Sequence, residues 1–319
     1  MGTGCHALGE AGHDRHMTSS PLSVVVGGAS GFLGSHLVTE LRARGHQVTR
    51  LVRRDSTGAD ESRWDPDSGE IDIDLIGHAD VVVNLGGSKL VGNVHSKKWA
   101  HDIRASRLAT TTTVVDAIAA CATPPALLNA SGLAWYGDHG DAPLTEASDT
   151  RGDTLLTELA RDWEAATVPA AAAGARVVLL RTAPVYDRTS PPLKQQALQF
   201  RLGLGGRLGS GRQFHPLISL RDWVGGAVFL VEHPTAFGPV NLAAPSTPTN
   251  ADYTRTLAAL LHRPAFLPAP APILKVAAGP MAPELLGSLN LGPGVLVDLG
   301  YEFEDPDVES VLRTGLGIS

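Results

Sequence analysis

Cysteine is almost missing from this chain. Two occur in 319 residues, Cys5 and Cys121, and no Cys-x-x-Cys pair is present. A disulfide framework and a cysteine-based zinc site are therefore excluded. The twelve histidines form no His-Glu-x-x-His helix, so no metal is expected. Positive charge is not in excess: 26 Lys and Arg stand against 33 Asp and Glu, a net charge of −7. Such a chain has no electrostatic footprint for nucleic acid or anionic lipid. No apolar run reaches the ~20 residues that span a bilayer, so no membrane partner is expected either. Residues 1–20 are rich in Gly and His and lack the apolar core of a secretory signal. They read as a disordered extension, with a second methionine, Met17, just ahead of the first strand. The expected location is cytoplasmic.

What is present is ordinary globular composition, 43% hydrophobic and 18% charged. The length suggests two domains at ~150 residues each. Strand-like and helix-like patterns alternate. Leu22–Gly27 is a β-branched run, and Phe32–Arg44 carries Leu33, Leu37 and Leu41 four apart with Gly45 at its end. His46–Arg53 reads as a second strand. Ser62–Ile73 reads as a polar hairpin turning at residues 65–69. Asp80–Leu85, Ala126–Ser131 and Arg176–Thr182 are buried-strand runs. Ser96–Ala120 and Thr154–Ala173 read as helices. After Pro184 the texture becomes rich in Pro and Gly, before helix at Asp222–Glu232, strand at Pro239–Leu242 and helix at Asn250–Leu261. The pattern predicts an α/β fold: a doubly wound parallel sheet of Rossmann type with a second, smaller C-terminal domain. Residues 21–185 plus 215–245 form the nucleotide-binding domain, and 186–214 plus 246–319 the substrate domain.

Between the first strand and helix stands Gly28-Ala29-Ser30-Gly31-Phe32-Leu33-Gly34, a GxxGxxG. Glycine serves a tight turn, a close approach of backbone to pyrophosphate, and close packing of helix on sheet. The phosphates then meet free N–H groups at the helix N-terminus. Nineteen residues past Gly34 come Arg53 and Arg54. Arginine at this point suits the 2′-phosphate of NADP(H), whereas Asp or Glu suits NAD(H). Asp55 follows at once and weighs the other way, and a merely solvated basic pair is the plain alternative. Leu85-Gly86-Gly87 ends the next central strand, where small residues let adenosine or ribose lie against backbone.

The stretches GGASGFLG (27–34), RWDPDSG (63–69), VVNLGG (82–87), RASRLATT (104–111), WYGD (135–138), FRLGLGGRLGSGRQF (200–214), ISLRDW (218–223), TNADYTRTLAALLHRPAFLPAP (249–270) and LGYEF (299–303) carry a resemblance. The chain resembles the NAD-dependent epimerase/dehydratase group of extended short-chain dehydrogenase/reductases. More narrowly, it is similar to the "epimerase family protein" branch, which ends in a small domain of uncharacterised role. The resemblance implies NADP(H) binding, with contacts at Arg53, Leu85, Gly86, Arg107 and near Val185. It also exposes a gap. The wider superfamily uses a Tyr-x-x-x-Lys pair for proton transfer, and the corresponding stretch here, Leu155–Glu164, holds neither residue. His95 falls where the branch usually has Trp, and Leu193–Gln199 follows Ser-Pro-Pro where a glycine-rich turn is usual.

Ser131, at the end of a central strand, and Tyr136, the nearby phenol, are the expected catalytic pair; a Tyr136 ring that only packs and a Ser131 that only caps its loop are the plain alternative. Arg107 is expected to face the cofactor, while Arg181 and Arg212 are candidates for an anionic substrate. The function expected is an NADP(H)-dependent oxidoreductase acting on a carbonyl or hydroxyl of a small molecule. The alternatives are a nucleotide-sugar-type epimerase/dehydratase and a non-catalytic NADPH-binding sensor or scaffold. A homodimer is left open.

Overall fold

The computed structural model describes residues 20–90 and 92–318. The extension expected at residues 1–20 lies, except for Ser20, outside the described residues. Among the described residues eleven strands run β1 Ser23–Gly27, β2 Gln47–Val52, β3 Glu61–Arg63, β4 Val81–Asn84, β5 Ala126–Gly132, β6 Pro143–Leu144, β7 Val177–Thr182, β8 Val185–Tyr186, β9 Ile218–Ser219, β10 Gly238–Leu242 and β11 Asn290–Leu291. The helices in the first half are α1 Phe32–Ala43, α2 Ile73–Gly77, α3 Lys97–Ala119, α4 Leu155–Ala165 and α5 Val168–Ala172. Those in the second half are α6 Pro191–Arg201, α7 Leu220–Glu232, α8 Asn250–Leu260, α9 Ala271–Ala278, α10 Ala282–Leu286, α11 Gly294–Asp298 and α12 Val308–Leu316.

Seven strands form one parallel sheet in the order β10-β7-β5-β4-β1-β2-β3. The alternation of side chains along a strand divides its core in two. Val24 and Val26 of β1 join Leu37, Val38 and Leu41 of α1 and Trp223 of α7 on one face. Val25 joins Val82, Val114, Ile118 and Ala170 on the other. Gly34, Leu37, Val38 and Leu41 are the buried stripe of α1, at the 3–4 spacing of one helical face. The sheet is thus doubly wound, and its order reverses between β1 and β4. Ligands of such sheets bind at the carboxyl ends of the strands beside that reversal.

A third core holds the smaller lobe, where Tyr186, Leu193, Phe200, Tyr253, Leu257 and Leu312 pack together. The chain tail is tied back to the sheet domain by Asp222 on α7. Its buried carboxylate accepts from the backbone N–H of Asp305 at 2.7 Å and of Glu304 at 3.0 Å.

Two expectations need correction, and one unassigned stretch gains an element. Ser62–Ile73 is only partly a hairpin. Asp65 and Glu70 do pair across the turn, but Glu61–Arg63 is a parallel edge strand on β2. Glu61 draws it there, because its carboxylate takes up both Arg50 and Arg54. The helix expected over Thr154–Ala173 breaks into α4 and α5. Pro169 has no N–H to continue the ladder, and α5 starts afresh with proline in its first turn. The Pro-rich stretch after Ser190, to which the sequence pattern assigns no element, is helix α6. Pro191 and Pro192 fall in the first turn, where a missing N–H costs nothing.

Candidate functional site

β1 ends at Gly27, in register with Leu51 of β2 and Asn84 of β4. The turn that follows has no room for a side chain at Gly28 or Gly34. Gly28 has φ +76°, and a Cβ on it would stand 2.6 Å from the Leu85 carbonyl. A Cβ on Gly34 would stand 2.3 Å from the Gly28 carbonyl oxygen, so α1 lies hard against the turn. Gly31 caps α1 without a side-chain acceptor, and no acidic residue sits in the first turn. The N–H groups of Phe32 and Leu33 therefore begin the helix without a side-chain cap and without an acidic residue in their own turn. Such an end is built for an anion. Ser30 is exposed beside it.

At the end of β2 the two arginines part company. Arg54 is clamped by Glu61, with Nη1 to Oε2 at 2.8 Å and Nη2 to Oε1 at 2.7 Å. The guanidinium holds the Glu61 carboxyl down at about 2. Arg53 is exposed and has no polar partner among the described residues.

At the end of β4, a buried amide network fixes the next loop. Asn84 Nδ2 donates to Asn129 Oδ1 at 2.8 Å and to Thr111 Oγ1 at 3.0 Å. Its Oδ1 accepts from the Gly86 N–H at 3.1 Å, and Trp163 on α4 donates to Thr111 at 2.9 Å. The network these four side chains make escaped sequence reasoning, although two asparagines in apolar strands are a readable signal: buried amides must find partners. Arg107 on α3 packs over Gly87, donates to the carbonyls of Ile103 at 2.9 Å and Ser88 at 3.2 Å, and lies 5.1 Å from the Trp163 ring. It is 8% exposed, and no carboxylate pairs with it among the described residues. Burial pulls its guanidinium down to about 10. A desolvated cation without a counter-charge is costly to keep, and a bound anion offsets that cost. Leu85 and Val185, also expected to touch cofactor, are half-buried and buried respectively.

At the end of β5 stand Ser131 and Tyr136, the expected catalytic pair, and both hydroxyls are bonded within the protein. Ser131 donates to Glu164 Oε1 at 2.7 Å, and Tyr136, fully buried, donates to Asn241 Oδ1 at 2.8 Å. Arg181 is the organiser. It is 2% exposed, pairs with Glu164, and lays its guanidinium 3.5 Å from the centre of the Trp135 ring and 4.8 Å from that of Tyr136. Both hydroxyls thereby donate to partners inside the fold. Burial pushes the Tyr136 phenol up, against the pull of Arg181. Arg181 itself is no free anion receptor, whereas Arg212 is exposed.

No group of three or more metal-binding side chains occurs among the described residues, and none of their helices is long and apolar enough to cross a membrane.

A strand, a glycine-rich turn and an uncapped helix at the reversal of a doubly wound sheet define a dinucleotide-binding domain. The sequence matches the NAD dependent epimerase/dehydratase family over residues 24–243, and a domain of unknown function (DUF1731) over residues 269–314. The chain belongs to the NAD dependent epimerase/dehydratase family. It is 38% identical over 291 residues to the epimerase family protein ML0860 of Mycobacterium leprae, covering 91% of this chain and 94% of that one. The crystal structure of human epimerase family protein SDR39U1 (isoform 2) with NADPH superposes with a TM-score of 0.82 at 31% identity, covering 93% of this chain and 99% of that one. A nucleoside-diphosphate sugar epimerase of Corynebacterium glutamicum has a TM-score of 0.76 at 30% identity, over 93% of this chain and 59% of the other.

Proposed function

We propose that this protein binds NADP(H) and works on a carbonyl or hydroxyl group of a small substrate. The observation that carries the reading is the glycine turn Gly28–Gly34 against an uncapped α1, where a Cβ at Gly28 or Gly34 would run into backbone. The human relative solved with NADPH supports the choice of cofactor. In this reading the α1 amides hold the pyrophosphate and Arg53 meets the 2′-phosphate. Leu85, Gly86 and Gly87 give a flat backbone surface, Val185 gives an apolar wall, and Arg107 supplies buried positive charge. The cofactor, when bound, supplies or accepts a hydride.

Calorimetry with NADPH and NADH, and a screen of carbonyls and alcohols followed by NADPH absorbance, test the two halves separately. Absence of NADPH binding sinks both. A second reading, a non-catalytic NADPH-binding protein, is favoured by one observation: Ser131 and Tyr136 have their hydroxyls bonded within the fold. Tight NADPH binding without turnover on any substrate would select it. A nucleotide-sugar epimerase or dehydratase would instead turn over without net NADPH consumption.

A further inference from the structure

Charge is unevenly spread along the chain. Between residues 188 and 281 nine Lys and Arg stand against three Asp and Glu, in a chain whose net charge is −7. Two of those acids are taken up elsewhere: Asp222 holds the chain tail, and Glu232 pairs with Arg44. The third, Asp252, pairs with Arg255 on α8. Part of the positive surplus converges on one cavity of about 510 Å³ in the smaller lobe. Its floor is the face of α8 that bears Ala251, Thr254 and Ala258, while Tyr253 and Leu257 turn the opposite face into the third core. Arg207 stands on one side and residues 263–268 form the other. Backbone bonds fix these walls. The Ala269 N–H donates to the Arg207 carbonyl and the Gly209 N–H to the Ala269 carbonyl, both at 2.9 Å. The Ala251 N–H donates to the Gly211 carbonyl at 2.8 Å, and the Arg263 N–H to the Ala258 carbonyl at 3.0 Å. The cavity is thus framed by main chain.

Three guanidinium groups line it, those of Arg207, Arg255 and Arg263. Of these, only Arg255 has a carboxylate partner among the described residues. The Arg207 guanidinium has no polar partner among them. Arg263 bonds only the carbonyls of Arg201, at 3.4 Å, and His262, at 3.2 Å. Phe266 completes the lining, 69% exposed, with Pro264 and Pro268 beside it. Two guanidinium groups without a counter-charge suit a dianion, and a phosphate monoester carries nearly two charges at neutral pH, where a carboxylate carries one. An aromatic ring left in water suits a flat apolar group on the same ligand. The volume is that of a small-molecule site. The cradle at residues 28–34 contributes nothing to the lining.

We propose that this cavity binds a phosphorylated small molecule that carries an aromatic or similarly flat apolar group, at a site separate from the cofactor cradle. Arg207 and Arg263 hold the phosphate, and Phe266 takes the apolar part. The site stands whether or not the oxidoreductase reading above does, because it shares no residue with the cradle.

The test uses the full chain labelled with 4-fluorophenylalanine. The ¹⁹F signal absent from Phe266→Leu reports this cavity, and the one absent from Phe32→Leu reports the cradle. Phenyl phosphate is expected to move the Phe266 signal with a midpoint below ~1 mM. Arg207→Ala and Arg263→Ala are each expected to raise that midpoint at least ~10-fold. Both arginines are exposed, so the fold tolerates their loss. Phenol at the same concentration is expected to leave the signal in place. A Phe266 signal that phenyl phosphate does not move overturns the proposal. So does a midpoint unchanged in both arginine variants, or a phenol shift equal to that of phenyl phosphate. A Phe32 signal that moves while Phe266 stays still puts the phosphate in the cradle and overturns it too. Phosphatidylglycerol vesicles that move the Phe266 signal where phenyl phosphate does not would make this face a membrane contact instead of a small-molecule site.

Discussion

Arg181 and Glu164 face each other as a two-point ion pair, Nε to Oε1 and Nη2 to Oε2, both at 2.8 Å. Both side chains are nearly shut off from water. A buried pair costs desolvation to form, and far more to break from one side only. Glu164→Gln is expected to lower unfolding stability by about 3 kcal/mol, seen as a lower urea midpoint at unchanged m-value. Ser131→Ala removes one of several bonds to the same carboxylate and costs ~1 kcal/mol. Equal losses in the two variants would show that the ion pair is not the organiser.

Tyr136→Phe separates structure from chemistry. It deletes the bond to Asn241 at 2.8 Å and leaves that buried amide oxygen short of a donor. The expected cost is about 1–2 kcal/mol of stability, with NADPH affinity kept. Under the original expectation of a catalytic phenol, turnover would instead fall at least ~10-fold.

Gly34→Ala tests the cradle. Gly34 lies within α1, so alanine suits its backbone, and the penalty is the clash of its Cβ with the Gly28 carbonyl. NADPH affinity is expected to fall by at least ~30-fold, or ~2 kcal/mol, in calorimetry. Unchanged affinity would place the pyrophosphate elsewhere.

The two arginines after β2 give a paired control. Arg53→Ala is expected to weaken NADPH about tenfold, ~1.4 kcal/mol, and leave NADH unchanged. Arg54→Ala loosens the Glu61 clamp without changing the NADPH/NADH affinity ratio. A changed ratio in Arg54→Ala would reverse the assignment.

His215 sets an acid limit on the smaller lobe. Its Nε2 accepts from Tyr186 at 3.0 Å, and burial lowers its pKa to about 4 against 6.5 in the unfolded chain. Between these values the unfolded chain holds more protons, so stability is fully present above pH 6.5 and lost as pH falls toward 4. The melting temperature of His215→Gln is expected to depend less on pH across that window than that of wild type.

The sheet was legible in the sequence because its strands are buried on both faces and read as apolar runs between helices of 3–4 spacing. β3 was not, because its place depends on Glu61 meeting arginines from β2, a contact without local pattern. α6 hid behind two prolines whose position in a first turn appears only once the helix start is known. Ser131 and Tyr136 were located on the right strand end and the right loop. The direction of their hydroxyls was set by Glu164 and Asn241, which arrive from 33 and 105 residues away.

Strand β10 closes the sheet against β7, yet it is made only at residues 238–242, after the chain has left to build α6. During synthesis the outer edge of β7 therefore emerges unpaired, and the face that α7 covers emerges bare. An open edge of this kind is a template for pairing with another chain. A fragment cut at residue 185 is consequently a poor stand-in for the nucleotide-binding domain: it carries the glycine turn but keeps that edge exposed, and its fate is aggregation rather than independent folding.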